Sequence, residues 1–163
     1  MEKKMFLFAC LLVACMVLGG CASQEERAAR VSAVAAKVRT AIAERKYKIN
    51  VDRMMPLRGV PQQLAFGNDV EVRNDSLFSY LPYFGRAYNV PYGGGKGLHF
   101  SAPISSYREV QKGDNQWQIF IGVSNEEDTY LYSIDIFDSG YSSITVQSRE
   151  REHIAYSGRM ELE

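Results

Sequence analysis

Apolar side chains recur at every second position from Tyr47 almost to the end of the chain. The runs that show this alternation most clearly are 47–51, 64–66, 70–72, 117–123, 130–136, 144–146 and 154–160. Successive side chains of a β-strand point to opposite faces, so a period of two predicts half-buried strands. Antiparallel sheets with one buried face produce this alternation. The pattern therefore predicts that most of the chain folds as an antiparallel sheet.

Short polar segments separate these runs at hairpin-sized intervals; they include 67–69, 74–75, 112–115, 125–128, 138–140 and 149–151. Asn, Asp and Gly at such positions favour tight turns. A meander of this kind must bury its apolar face, either by curling on itself or against a second layer. We predict a mainly β fold over 47–163: a single antiparallel curled sheet or β-barrel of about eight strands, with one N-terminal α-helix alongside.

The segment 23–46 has a different periodicity and predicts that helix. It is rich in alanine, lacks Gly and Pro, and carries apolar residues at spacings of three and four, namely Val31, Val34, Val38 and Ile42. Ser23 and Glu26 form an S-x-x-E capping box, and Arg45 and Lys46 suit the negative end of the helix dipole. The apolar stripe is thin, so we expect the helix to lie on one face of the fold or to act partly as a spacer.

The first 20 residues have the layout of a secretory signal: lysines near the start, an apolar run from Met5 to Leu18, and a small-residue pair. The run is shorter than the ~20 residues that a membrane-spanning helix needs. Leu18-Gly19-Gly20-Cys21 resembles the bacterial lipobox, whose cysteine is acylated after cleavage. We predict removal of 1–20, lipid attachment at Cys21 and an anchored helical segment 21–46; an ordinary secreted protein with a stray thiol is the alternative.

A lipid-anchored Cys21 would leave the mature chain without a free thiol, because Cys10 and Cys15 lie in the removed segment. Several acyl chains on one residue give stable membrane attachment without a spanning helix. Ala22 and Ser23 follow the cysteine where an inner-membrane retention signal would have Asp. The sequence therefore predicts an outer-membrane lipoprotein of the cell envelope. The segment 24–26 also resembles, weakly, an acidic leader for export to the cell surface.

Charge and motif content argue against several functions. The formal net charge is 0, with 19 basic and 19 acidic residues, and their dispersal does not favour nucleic-acid binding. The glycine run 93–97 contains a lysine but lacks the phosphate-loop pattern. His99 and His153 are the only histidines, and the acids 126–128 lack calcium-loop spacing and are expected to be solvated at a hairpin tip. We predict no cofactor and no metal.

The segment Leu81–Gly97 contains glycines, prolines and aromatic rings in an irregular order. Its prolines restrain the backbone, and its glycines, Gly85 among them, permit positive φ. One hypothesis is that it folds over one end of the sheet and binds an apolar or glycan-like ligand through Tyr80, Tyr83, Phe84, Arg86, Tyr88 and Tyr92. The alternative is that the rings plug the barrel end as core, with Arg86 paired to an acid.

No nucleophile motif or carboxylate pair indicates catalysis, so we expect a binding protein rather than an enzyme. The first hypothesis is a small apolar or glycan-like ligand at the aromatic segment. The second is a structural or assembly role, in which an exposed strand edge or the segment 80–97 docks another envelope protein. A hydrolase with an unrecognised site is the third.

Four segments together resemble an uncharacterised bacterial lipoprotein family known as domain of unknown function 4251; they are Ile49-x-Val51…Met55-Pro56, Tyr80 to Tyr88, Gly97-Leu98-x-Phe100 and Ile154-x-Tyr156-x-Gly158. The block SYLPYFGRAY is the distinctive part, and the resemblance covers most of 47–160. It implies a lipocalin-like antiparallel barrel in a cell-envelope lipoprotein. It implies no activity and no catalytic residue.

Overall fold

The computed structural model describes residues 24–88 and 97–162. Helix α1 covers residues 24–43. The strands that follow are β1 (Tyr47–Pro56), β2 (Gln62–Gln63), β3 (Asp69–Arg73), β4 (Ser76–Leu81), β5 (Leu98–Gln111), β6 (Gln116–Ser124), β7 (Thr129–Phe137), β8 (Tyr141–Ser148) and β9 (Ile154–Met160).

These strands form one closed antiparallel barrel. From β3 to β9 each strand pairs with the next in sequence, and β1 pairs with both β3 and β9. The closed wall therefore has eight strands, and the two-residue β2 is added beside β1 at Arg53 and Met54. Closure removes most of the free edges of a curled sheet. The predicted mainly β barrel with an N-terminal helix is confirmed.

Large apolar side chains fill the barrel interior. The inward positions of β6 and β7 are all buried, as the alternation predicted; they are Trp117, Ile119, Ile121, Val123, Tyr130, Tyr132, Ile134 and Ile136. The Tyr132 hydroxyl crosses the interior from β7 and donates to Ser79 Oγ on β4 at 3.0 Å. Small barrels of about eight strands leave an interior just wide enough for side chains. The lumen is accordingly a packed core.

The barrel has two ends that we name by their position relative to α1. The proximal end carries α1 and the hairpin turns at 74–75, 112–115 and 138–140. The distal end carries the loops 57–61, 64–68 and 82–88 and the turns 125–128 and 149–153. The described part of the aromatic segment therefore lies at the distal end.

Helix α1 covers the proximal end with its C-terminal half. Val38 and Ile42 are buried in the core, whereas residues 24–33 are exposed throughout. The helix ends in a Schellman motif: the Lys46 N–H donates to Ala41 O at 3.0 Å, the Arg45 N–H donates to Ile42 O at 2.9 Å, and Arg45 has φ 51°. The predicted packing of the helix on the barrel is therefore present in its C-terminal half, and the spacer role of its exposed N-terminal half stays a prediction.

Most predicted turns are found, but one predicted strand is not. Asn74 and Asp75 both have positive φ and join β3 to β4 as the two-residue hairpin that the sequence indicated. In contrast, the alternating run at 64–66 is outside β2, and Phe66 is fully exposed. The chain leaves the sheet after the Leu64 N–H donates to Asp52 O at 2.8 Å, so this alternation has no partner strand to fix it.

No helix within 24–88 and 97–162 is both long and apolar enough to cross a membrane.

Candidate functional site

The structure places five of the six predicted ligand-binding residues at or near the distal end. Tyr83 is partly buried, whereas Tyr80, Phe84, Arg86 and Tyr88 are exposed. Tyr80 lies on the outer wall in β4, where its ring meets His99 edge-on with 6.2 Å between centroids. Tyr92 and the predicted lipid-attachment residue Cys21 lie outside the described residues. The rings thus divide into one inward anchor and several outward side chains.

Tyr83 holds the loop 82–88 against the turn between β8 and β9. Its hydroxyl lies 2.9 Å from Arg86 O and 3.0 Å from Glu152 O, and it donates to these carbonyls. The Arg151 guanidinium lies over the ring at 5.5 Å from its centroid. Burial, followed by the nearby Glu152 carboxylate, raises the Tyr83 pKa above its ordinary value. Tyr83 therefore anchors the loop 82–88 to the barrel end.

Gly85 allows this anchor to form, but not through a positive φ as the sequence suggested. A Cβ at Gly85 would lie 2.6 Å from the Tyr83 hydroxyl, and Gly85 is not among the residues with positive φ. The glycine is required because the tyrosine ring approaches the backbone closely. The prediction that Gly85 is needed for positive φ is therefore wrong, and the close approach of the Tyr83 ring is the reason for a glycine here.

Glu152 joins three loops at the distal end. Its carboxylate accepts from the Arg86 backbone N–H at 3.3 Å and pairs with Arg58 Nε at 3.3 Å. The Glu152 N–H in turn donates to Arg86 O at 3.0 Å. Arg86 thus contacts the expected acid through its backbone, and no ion pair to its guanidinium is present among the described residues. Loops 57–61 and 82–88 are tied to the turn at 149–153 by this one carboxylate.

A second buried network lies beside it and involves acids that the sequence predicted to be solvated. Asp128 is only 8% exposed and accepts hydrogen bonds from the Ser148 hydroxyl and from the backbone N–H groups of Thr129, Arg149 and Glu150. Glu127 pairs with Arg151 at 3.0 Å. The prediction of a solvated hairpin tip is wrong for Asp128, because the turn 125–128 folds over the next turn, 149–153. The pattern of a single sequence gives no signal that these two turns lie close together.

Near this network, the buried Arg151 Nε has no hydrogen-bond partner within the described ranges, and the Tyr130 hydroxyl has the Asn125 side chain beside it. Burial raises the Tyr130 pKa above its ordinary value, and the Arg151 charge opposes that shift. Buried polar atoms are normally paired with protein or ordered water.

Two contacting loops of the distal end, 57–61 and 82–88, expose apolar side chains that we call the distal patch. Its members are Leu57, Val60, Phe84 and Tyr88, which are 49%, 73%, 55% and 70% exposed. Phe84 Cε1 lies 4.0 Å from the position of a Cβ on Gly59, so the two loops that carry the patch are in contact. Clustered exposed apolar residues of this kind are typical of interaction surfaces. The patch rests on the rigid contacts made by Tyr83 and Glu152.

Within residues 24–88 and 97–162, no group of three or more His, Cys, Asp or Glu side chains is positioned to hold a metal ion. The ionisable side chains of the distal end are engaged largely with one another, as described above. The distal end therefore presents a surface that is held in place by these contacts and carries exposed apolar side chains and arginines.

A closed eight-stranded antiparallel barrel with a helix across one end defines the structural class of this protein. The chain belongs to the family of domain of unknown function 4251, whose model matches residues 29–160. The crystal structure of a DUF4251 family protein from Bacteroides eggerthii DSM 20697 has the same fold, with a TM-score of 0.61, 11% sequence identity, and coverage of 80% of this chain and 88% of that chain. No curated protein matches the sequence. The resemblance noted from the sequence is confirmed.

The Tyr83 anchor gives a direct test of the plug interpretation. We expect Tyr83→Phe to lower the free energy of unfolding by about 1 kcal/mol, because it removes one partly buried hydrogen bond, and to speed proteolytic cleavage within 82–88. Limited proteolysis and urea unfolding measure both effects. Tyr88→Phe is the matched control on an exposed ring and should change neither. Equal behaviour of the two variants would show that Tyr83 does not hold the loop.

Proposed function

We propose that this protein is a lipid-anchored cell-envelope protein that acts by docking another envelope protein on its distal patch, without catalysis. The observation that carries the proposal is the contrast between the two surfaces of the barrel. The interior is closed by packed side chains, whereas four apolar side chains are exposed on the two contacting loops 57–61 and 82–88 at the distal end. Recognition must then take place on the outer surface.

The composition of the distal patch favours a protein partner. Aromatic side chains and arginine are enriched at protein interfaces, and aliphatic side chains add area without polar specificity. Leu57 and Val60 are aliphatic, and Phe84 and Tyr88 are aromatic. Arg58, on the same loop as Leu57 and Val60, forms an ion pair with Glu152. Because Tyr83 and Glu152 fix the loops in advance, docking would cost little ordering entropy.

The anchor proposal relies on the sequence before the described residues. A signal-like segment precedes Cys21, and α1 begins near it and projects from the proximal end. Residues 24–33 are exposed, so they are available as a spacer. An anchor at Cys21 would then attach through the end of the barrel opposite to the distal patch. We propose the outer membrane, because Asp is absent after the cysteine.

A glycan-like ligand is the second candidate, and the outward tyrosines favour it. Tyr80 and Tyr88 are 45% and 70% exposed, and rings with a polar tip suit sugar recognition. Such a ligand would bind on the outer face of these rings and would not enter the lumen. A soluble glycan that competes with cross-linking at the distal patch would support this candidate over a protein partner.

Site-specific photo-cross-linking tests the docking proposal in cells that produce the full-length chain. A photoreactive residue at position 84 should give one discrete protein adduct, identified by mass spectrometry. Position 131 is the control, because Leu131 is also exposed, at 40%, but lies on the barrel wall in β7. We expect no adduct there. Identical adducts at both positions, or none at position 84, would contradict docking through the distal patch.

Substitution of the predicted acylation site tests the anchor separately. We expect Cys21→Ser to abolish metabolic labelling with a palmitate analogue and to move the protein from the membrane fraction to the soluble fraction, because the serine variant lacks the thiol that receives the acyl chains on which stable attachment depends. Fractionation with and without the substitution measures this. Unchanged labelling in the serine variant would show that Cys21 does not carry the lipid.

A further inference from the structure

Strand β5 is longer than its neighbours, and its two halves pair on opposite sides. Residues 98–103 pair with β4, whereas residues 104–111 pair with β6. Within the described chain, the first half therefore has no strand partner on its β6 side. A groove of about 450 Å³ lies along that side, between β5 and the turn 125–128; its lining includes His99, Ser101, Pro103, Asn125, Glu126 and Glu127.

The direction of the backbone groups along this edge follows from one hydrogen bond. The Ile104 N–H donates to Asp75 O at 2.9 Å, on the β4 side. Backbone groups of successive residues in a strand point to alternate sides. The N–H and C=O groups of His99 and Ser101 therefore face the groove. Pro103 faces it too, and proline has no N–H to offer, which is how edge strands commonly limit the length of pairing.

The opposite wall of the groove is rigid and acidic. Asn125 Oδ1 accepts from the Glu127 and Asp128 N–H groups, both at 2.9 Å, and this fixes the turn. Glu126 is exposed in the groove lining, and Glu127 is paired with Arg151 beside it. A segment that enters this groove meets, on one side, two donor and acceptor pairs with no strand partner within residues 24–88 and 97–162, and carboxylate charge on the other.

We propose that this groove binds an extended segment of the partner protein as an added strand on residues 98–103, with a lysine or arginine of that segment next to Glu126. The inference rests on the proposed docking function and names the chemistry that a partner must have. Main-chain hydrogen bonds supply affinity in such strand addition, and flanking side chains supply specificity. The backbone groups of His99 and Ser101 would form the hydrogen bonds to the added strand, and Glu126 would favour a segment with a positive charge at the facing position.

Amide hydrogen exchange on the full-length chain in detergent micelles gives the first test. In the protein alone, the His99 and Ser101 amides should exchange quickly, while the Phe100 and Ala102 amides, which face β4, exchange slowly. A nine-residue probe peptide of alternating threonine and valine with a central lysine should slow exchange at 99 and 101 by about tenfold. Protection of both amides before peptide is added would overturn the proposal, because the chain itself, or a second copy, would already occupy the edge.

A charge swap gives the second test and does not disturb the fold. Glu126→Lys should weaken binding of the lysine peptide by about two- to fivefold, and a peptide with a central glutamate should regain that loss. Glu109→Lys makes the same charge change in the other half of β5, where the side chain is also exposed, and should leave binding unchanged. Equal effects of the two substitutions, or no peptide binding at all, would refute strand addition at the groove.

These results are separable from those on the distal patch. Cross-linking at position 84 without peptide binding at residues 98–103 would keep the docking function and discard the groove. Peptide binding at the groove without an adduct at position 84 would keep the strand-addition site and discard the distal patch.

Discussion

Gly158→Ala should destabilise the barrel by at least about 3 kcal/mol, at the upper end of the range for overpacked sites. A Cβ at Gly158 would overlap Asn50 O and would lie 2.9 Å from Val51 Cα. Both are backbone atoms of β1, and Val51 is the register partner of Gly158 next to the bulge between Val51 and Arg53. Neither strand can move away without breaking the pairing of β1 with β9 that closes the barrel, which we call the β1–β9 seam. Thermal unfolding should show a fall in Tm of about 6–12 °C.

Gly113→Ala is the control for a glycine substitution that meets no clash. Gly113 lies at an open turn with φ +69°, and no atom lies within 4 Å of the place that a Cβ would occupy. Its cost should be limited to the left-handed backbone, about 1–2 kcal/mol. Equal Tm values for the two variants would show that the β1–β9 seam relaxes freely and that closure does not require Gly158.

The second large effect is a loss of stability in alkali. Burial raises the pKa values of Tyr132 and Tyr156 well above the ordinary 10.0, more than it does for the half-exposed tyrosines. The unfolded chain releases these protons near pH 10 and the folded chain retains them. The contribution of these two protonated tyrosines to the free energy of unfolding is therefore complete below pH 10. Above pH 10 it is lost, at about 1.4 kcal/mol per pH unit for each ring. By about pH 11.5 the two rings together should remove about 4 kcal/mol.

Urea unfolding between neutral pH and alkali measures this slope, and near-ultraviolet absorbance follows tyrosinate formation. The buried hydroxyls should ionise only with unfolding, because burial disfavours the charged tyrosinate form of both rings. In the double variant Tyr132→Phe, Tyr156→Phe the slope above pH 10 should fall by about 2.7 kcal/mol per pH unit. An unchanged slope in that variant would assign the alkaline sensitivity to other groups.

The sequence predicted most of the fold because strand alternation is a local property. Every second residue of 117–123 and of 130–136 could be assigned to one buried face from the period alone. The barrel buries these residues in its interior. Asn74 and Asp75 fixed a hairpin through their tolerance of positive φ. The run at 64–66 shows the limit: alternation predicts a strand only where a neighbouring strand supplies a series of hydrogen bonds, and here β1 supplies one, from Asp52 O to the Leu64 N–H.

The candidate site was predicted in part. The aromatic segment is at one end of the barrel, and Tyr83 and Glu152 make it rigid. The sequence could not identify Glu152, Arg151 or Asp128, since each gains its role from a loop distant along the chain. Nor could it distinguish Tyr83, which points inward, from Phe84, which points outward. Adjacent aromatic residues in an irregular loop have no period that assigns them to a face.

The sequence by itself determined a signal-like start with a lipobox-like cysteine, an amphipathic helix and a set of half-buried antiparallel strands, because these depend on residue type and spacing within short windows. Only the tertiary structure decided that β1 pairs with β9 and that α1 covers one end of the barrel. It also decided that residues 98–103 of β5 pair with β4 alone, beside the acidic turn 125–128. Those features depend on contacts between residues far apart in the chain. Their geometry is set by strand length and register, which short-range patterns do not specify.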